Sequence, residues 1–192
     1  MFSVQDLEKV PRRSARLAAI LTLALALGGC LTSRQPLFAE ASAVAPLGDG
    51  GRYLAYERIG NRYKRDETLQ LRRSGAGYDY INEKGAVTPV TLHPLGKNLF
   101  AVQAKADDGG YNYARLRLRG DTGFIEVADC DKQNPKKLAA LGIVVKVNDL
   151  AKALTGREDA ETHDCILDGV QDIRKVFSTL NFGPPTSKVV RE

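Results

Sequence analysis

From residue 51 onward, apolar and polar residues alternate in short runs. They are "GRYLAYERI" (51–59), "ETLQLRR" (67–73), "GYDYIN" (77–82), "AVTPVTL" (86–92), "NLFAVQAKA" (98–106), "YNYARLRLR" (111–119) and "GFIEVAD" (123–129). A period of two sends successive side chains to opposite faces, so each run reads as a half-buried strand. Between the runs stand "SGAG", "EKG", "HPLGK", "DDGG" and "GDTG", rich in the residues that tight turns use. Strand-length pieces joined by short turns predict an antiparallel meander of about seven strands. Pro89 cannot donate to a ladder, so the fourth strand is expected at an edge or at a bulge.

After Cys130 the period lengthens. "NPKKLAAL" (134–141) carries Asn134 as a helix cap and Pro135 at the first helical position. "GIVVKV" (142–147) reads as a buried strand, and "NDLAKAL" (148–154) as a short helix closed by Gly156. In "DGVQDIRKVFSTLNFG" (168–183), Asp168 and Gln171 have capping-box spacing, and Val170, Ile173, Val176, Phe177 and Leu180 share a helical face. The pattern therefore predicts an α+β fold in one globular domain, residues 51–192: an antiparallel meander, then a strand–helix tail packed on the open face of the sheet. Residues 30–50 show no period and are rich in Ser, Ala, Pro and Gly, which reads as a flexible tether.

At 192 residues the chain has room for one ordinary domain with appendages, and 43% hydrophobic and 27% charged residues are globular values. The net charge of +5 is partly local to the N-terminus, where Lys9, Arg12, Arg13 and Arg16 face only Asp6 and Glu8. No basic block of the kind that grips nucleic acid follows, so no nucleic-acid partner is expected.

The same N-terminus has further structure. "PRRSAR" (11–16) precedes thirteen uncharged residues, 17–29, whose helical length of about 20 Å falls short of a bilayer core. A basic region, a short apolar stretch and small residues before a cut site make an export signal. Leu27-Gly28-Gly29-Cys30 resembles the lipobox of bacterial lipoproteins. The resemblance implies a signal peptide over residues 1–29, cleavage between Gly29 and Cys30, and lipid on the Cys30 thiol. It also implies a partner, the membrane, reached through that anchor. In that family an Asp after the lipidated Cys favours the inner membrane; Leu31 stands here, which implies the outer membrane, facing the periplasm. An uncleaved single-pass anchor is the alternative, since the uncharged run extends to Ser33. The basic residues ahead of the segment place the domain outside the cytoplasm in either case.

Export changes the meaning of the remaining cysteines. With Cys30 lipidated, Cys130 and Cys165 form an even pair in an oxidising compartment, and a disulfide between them is expected to clip the tail to the sheet edge. Catalytic motifs are absent from the sequence, and no cofactor or metal is called for. His93 and His163 are the residues a membrane-anchored hydrolase would use. His163 with Glu161 and Asp164 makes a poor metal set, because three neighbours on a loop do not converge unaided. The best binding surface is the row Tyr111, Tyr113, Arg115, Arg117 and Arg119, placed on one face by alternation and outward because Leu116 and Leu118 must face the core. Tyrosines with arginines suit sugars, phosphates or carboxylates of envelope polymers; cross-strand pairing that only stabilises the sheet is the competing role.

The sequence thus points to a lipid-anchored, non-enzymatic envelope protein that binds another envelope component or protein. A hydrolase, or a small-ligand carrier if the meander closes into a barrel, is the alternative. The anchor is directly testable. Changing Cys30 to Ala should abolish incorporation of labelled palmitate and leave the precursor uncleaved; continued incorporation would contradict the lipobox reading.

Overall fold

The computed structural model describes residues 31–148 and 162–192. Strand β1 (Leu31–Ser33) is followed by β2 (Gly50–Ile59), β3 (Arg62–Ser74), β4 (Gly77–Ile81), β5 (Val87–Gly96), β6 (Leu99–Lys105), β7 (Tyr111–Arg119) and β8 (Thr122–Glu126). From β2 to β8 each strand pairs antiparallel with the next, the meander that the alternation predicts. Its hairpins turn where the backbone needs positive φ: Gly60 (φ 60°) joins β2 to β3, and Gly120 (φ 56°) joins β7 to β8.

The meander does not stay open, which corrects the expected α+β architecture. After helix α1 (Pro135–Ala140), strands β9 (Val144–Asn148) and β10 (Thr162–Ile166), and helix α2 (Ile173–Thr179), the chain ends in strand β11 (Ser187–Arg191). This last strand lies between β2 and β8, antiparallel to both, in register from Ser187↔Glu57 to Arg191↔Tyr53 and from Ser187↔Ile125 to Val190↔Thr122. The eight strands β2-β3-β4-β5-β6-β7-β8-β11 therefore close into an antiparallel barrel. "SKVVR" escapes a pattern reading because it follows "FGPPT" and is only five residues long. Closure also removes the open sheet face that the final helix was expected to cover. Pro89 accordingly lies in a strand with neighbours on both sides, just beyond the β5–β6 ladder, which begins at Val90.

The residues read as a tether are instead structured. β1 is inserted between β7 (Thr32↔Asn112) and β10 (Leu31↔Cys165, parallel), with Leu31 fully buried. Further along, the side-chain oxygen Oε1 of Gln103 accepts from the backbone N–H of Leu37 (3.0 Å) and Phe38 (3.1 Å), which ties this segment to the barrel wall. Apolar Leu37 and Phe38 supply what the Ser/Ala/Pro background conceals: one well-placed aromatic anchors a segment without any period.

Two cores result. Tyr78, Leu92, Phe100, Val102, Ala114 and Leu116 pack inside the barrel. Outside it, Phe38, Ala101, Tyr113, Leu138, Leu167, Val176 and Phe177 form a second core between the β6–β7 wall and an outer layer of β1, β10 and the two helices. In that layer, α1 starts as expected, with Asn134 Oδ1 accepting from Lys136 N–H. The longer C-terminal helix does not: α2 is capped by Asp172, while Asp168 binds the Arg34 backbone N–H (2.7 Å) and guanidinium (2.6 Å). Strand β9 is a sheet edge rather than a buried strand, with Val144 and Val145 exposed. The helix expected over 148–154 falls outside the described residues except for Asn148, which ends β9.

The disulfide joins Cys130, in a 3₁₀ turn after β8, to Cys165 on β10, with Cα atoms 5.9 Å apart and both residues buried. It ties the outer layer to the end of the barrel wall across 35 residues. Closing a loop of that size contributes about 3–4 kcal/mol in the chain-entropy account. The double change Cys130→Ala with Cys165→Ala should therefore lower unfolding free energy by about that amount, read by denaturant titration. An unchanged midpoint would show that the bridge does not constrain the unfolded chain.

Candidate functional site

A closed barrel sorts its residues by parity, and here the inward set is apolar. Leu69 and Leu71 on β3, Val90 and Leu92 on β5, Leu116 and Leu118 on β7, Ile125 on β8 and Val189 on β11 line a cavity of about 410 Å³. Small inward residues keep it from filling: a Cβ on Gly123 would come within 2.9 Å of Leu116 and 3.0 Å of Val189. Apolar inside and charged outside is the reverse of a membrane-spanning barrel, whose apolar side chains face lipid. Eight strands give a bore that side chains just fill or that holds one small ligand, and a cavity of this volume belongs to the second kind.

One end of the barrel is crossed by the N-terminal segment. Val44 bridges to Leu92, and the Leu47 backbone N–H donates to the Tyr78 hydroxyl (3.0 Å). Beside this strap, exposed Gly48, Asp49, Gly120, Asp121 and Arg191 line the cavity, so this end is its mouth. At the opposite end, no residue of the β2–β3, β4–β5 or β6–β7 turns takes part in the lining.

Three polar features stand against the apolar lining. The Tyr53 and Ser187 hydroxyls are buried on residues that line the cavity and have no hydrogen-bond partner among the described residues. Burial pushes the Tyr53 phenol above its ordinary range, while the positive charge of Arg191 pulls it back. Third, Arg191 itself has the inward parity of Ser187 and Val189 and stands in register with Tyr53. Its Nη2 donates to the Gly50 carbonyl (3.0 Å), and it has no ion pair among the described residues, the neighbouring Glu192 carboxylate pairing with Arg52 instead (2.8 Å). On the same barrel, the Tyr80 hydroxyl donates to Glu67 Oε1 (2.5 Å), and burial raises the pKa values of both groups. Sequence reading missed these groups because their parity has meaning only once β11 closes the wall.

The Tyr–Arg row of β7 does face outward, but the outer layer covers much of it. Tyr113 is buried, 2.8 Å from Ser33 Oγ, and its hydroxyl accepts from the Leu37 N–H (3.1 Å). Arg115 and Arg117 donate to the buried carboxylate of Glu126 (2.5 and 3.1 Å), and Arg115 also lies over the Phe182 ring at 4.3 Å. Tyr111 is half-buried, and Arg119 is exposed over Phe124. Glu126, on the neighbouring strand, is the counter-ion that alternation along β7 alone does not show.

The two histidines lie apart from the cavity. His93 is fully enclosed, with Nδ1 2.8 Å from Ser42 Oγ, Nε2 2.9 Å from Thr91 Oγ1, and its ring stacked on Phe38 at 4.5 Å. His163 Nδ1 lies 2.6 Å from Asp131 Oδ1. His163 and Asp164 are successive residues of β10 and point to opposite faces; Glu161 lies outside the described residues, as does Cys30. No protein family, curated protein or solved structure matches this chain.

Enclosure lowers the His93 pKa from 6.5 to about 4, chiefly through desolvation of the charged ring. Between those values the unfolded chain binds a proton that the folded chain refuses. Stability is therefore full above pH 6.5 and falls as pH drops toward 4. The difference is roughly 2–4 kcal/mol. Replacing His93 by Gln, which keeps hydrogen-bonding capacity but does not titrate, should flatten this part of the stability–pH profile; an unchanged slope would mean that His93 is not its source.

Proposed function

We propose that this is a lipid-anchored envelope protein that holds a small, largely apolar molecule inside its barrel. The observation that carries the reading is the cavity of about 410 Å³, walled by aliphatic and aromatic side chains and reached from one end. Its volume falls in the range of about 300–1,000 Å³ common to small-molecule sites. A cavity without a ligand leaves the wall atoms short of contacts, a loss that a bound apolar molecule makes good.

The anchor and the cavity suit one another. Leu31, the residue after the lipobox cysteine, is already buried in β1, so a lipid on Cys30 would hold the barrel close to the bilayer with no slack. Apolar molecules of the envelope concentrate at that surface, and Leu31 in place of Asp favours the outer membrane. Within this reading the envelope component expected from the sequence is a small ligand rather than a polymer on the Tyr–Arg row. A hydrolytic role has less support, since His93 is enclosed among Ser42, Thr91 and Phe38.

The test uses the full chain in nanodiscs and the neutral apolar dye phenylnaphthylamine, with empty discs as the blank. Saturable one-to-one binding is expected. Leu69→Trp, which fills the cavity, should abolish it, with Val102→Phe as an independent filling variant should the first fold poorly. Ile59→Ala, on an exposed hairpin, should leave it unchanged. Absence of saturable binding, or loss with Ile59→Ala alone, would overturn the reading.

A further inference from the structure

The cavity also indicates which end of a ligand is polar, and of what kind. At its mouth, Arg191 projects from the inner face of β11 directly across from Tyr53 on β2. Tyr53 is 3% exposed, yet its hydroxyl has no hydrogen-bond partner among the described residues. An unsatisfied buried hydroxyl costs free energy, and such groups persist where another molecule completes them. The guanidinium beside it offers a planar fork of donors, of which one nitrogen serves the Gly50 carbonyl. The two residues stand in register on adjacent strands, near enough for the Arg191 charge to act on the Tyr53 phenol. A phenol donor and a guanidinium fork so placed match a carboxylate, which accepts from both.

The rest of the mouth limits the charge that fits. Asp49 and Asp121 lie on the same rim and repel a head group with several negative charges. Arg73, whose side chain lies 5.6 Å from the centre of the Tyr78 ring, adds a second positive charge at this end of β3. Of the described charged residues that line the mouth, Arg191 is the single cation, set against Asp49 and Asp121, with Arg73 outside the lining. Behind it, Leu71, Val90, Leu92, Val102, Leu116 and Val189 offer apolar contact to a chain. Ser187 lies four residues further along β11, about 13 Å deeper, and belongs to the tail end of the cavity.

Resting on the carrier reading above, we propose that the ligand is a monocarboxylate amphiphile of the fatty-acid class. It lies tail inward, with its carboxylate held between Arg191 and the Tyr53 hydroxyl. Phosphate-headed lipids are disfavoured by the two rim aspartates.

Displacement of phenylnaphthylamine from the full chain in nanodiscs separates this proposal from the one it rests on. Laurate should displace the dye with an affinity about tenfold better than methyl laurate, the size of one charge-assisted hydrogen-bonded contact. Arg191→Gln should remove that preference, read as the ratio of laurate to methyl laurate affinity within the same variant, whatever the affinity of the dye itself. Tyr53→Phe should weaken laurate several-fold without lowering the melting temperature, because the lost hydroxyl bonds nothing among the described residues. Equal displacement by acid and ester, or a preference that survives Arg191→Gln, overturns the head-group assignment while the apolar carrier stands. Failure of the dye itself to bind removes the carrier reading and this proposal together. Stronger displacement by lauryl phosphate than by laurate also contradicts it.

Discussion

The pairing of the last five strand residues, Ser187–Arg191, with β2 on one side and β8 on the other makes the rest of the structure possible. Seven meandering strands without it would leave two long unpaired edges and an apolar face open to water, an arrangement that invites aggregation. With it, every barrel strand has two neighbours and the inward residues share an enclosed space. The same strand supplies Ser187, Val189 and Arg191 to that space, so closing the barrel and furnishing its polar end are one event. The C-terminal location means that the barrel closes only when residues separated by nearly the whole domain meet, a topology with a high loop-closure cost and slow expected folding.

The outer layer is organised around the same wall. Phe38 meets His93, Tyr113 and Phe177 on the outside of the barrel, with ring centroids 4.5, 6.5 and 5.8 Å away. Gln103 holds the backbone beside Phe38, and the Cys130–Cys165 bridge fixes β10 to the chain leaving β8. Because β1 is already part of this layer, the segment that follows it runs along the wall, tied at Leu37 and Phe38, and on over the barrel mouth at Val44 and Leu47. The strap that partly covers the cavity is thus continuous with β1 and the outer layer.

Much of this was legible from the residues. Alternation places the seven strands, and the parity of β7 correctly sends Leu116 inward and Arg115 outward. Parity cannot say what covers an outward face, so the burial of Tyr113 and the pairing of Arg115 and Arg117 with Glu126 stayed hidden. "THDCI" reads as a polar loop because Thr162, His163 and Asp164 precede Cys165, which is fully buried but carries only a weak apolar signal. "SKVVR" is too short for a period to show, and "QPLF" has no period at all; their structure comes from tertiary partners. The cavity lay furthest from the sequence, because it exists only after the two ends of the meander are joined.

That the barrel interior receives the ligand is tested most directly by methyl-selective nuclear magnetic resonance of the full chain in nanodiscs during titration with laurate. Methyl signals of the inward residues Leu69, Leu71, Val102, Leu116 and Val189 should shift and saturate together at one equivalent, and those of Ile59 and Val87, exposed on hairpins, should not move. Shifts confined to the exposed set, or none at concentrations that saturate the dye site, would contradict the account.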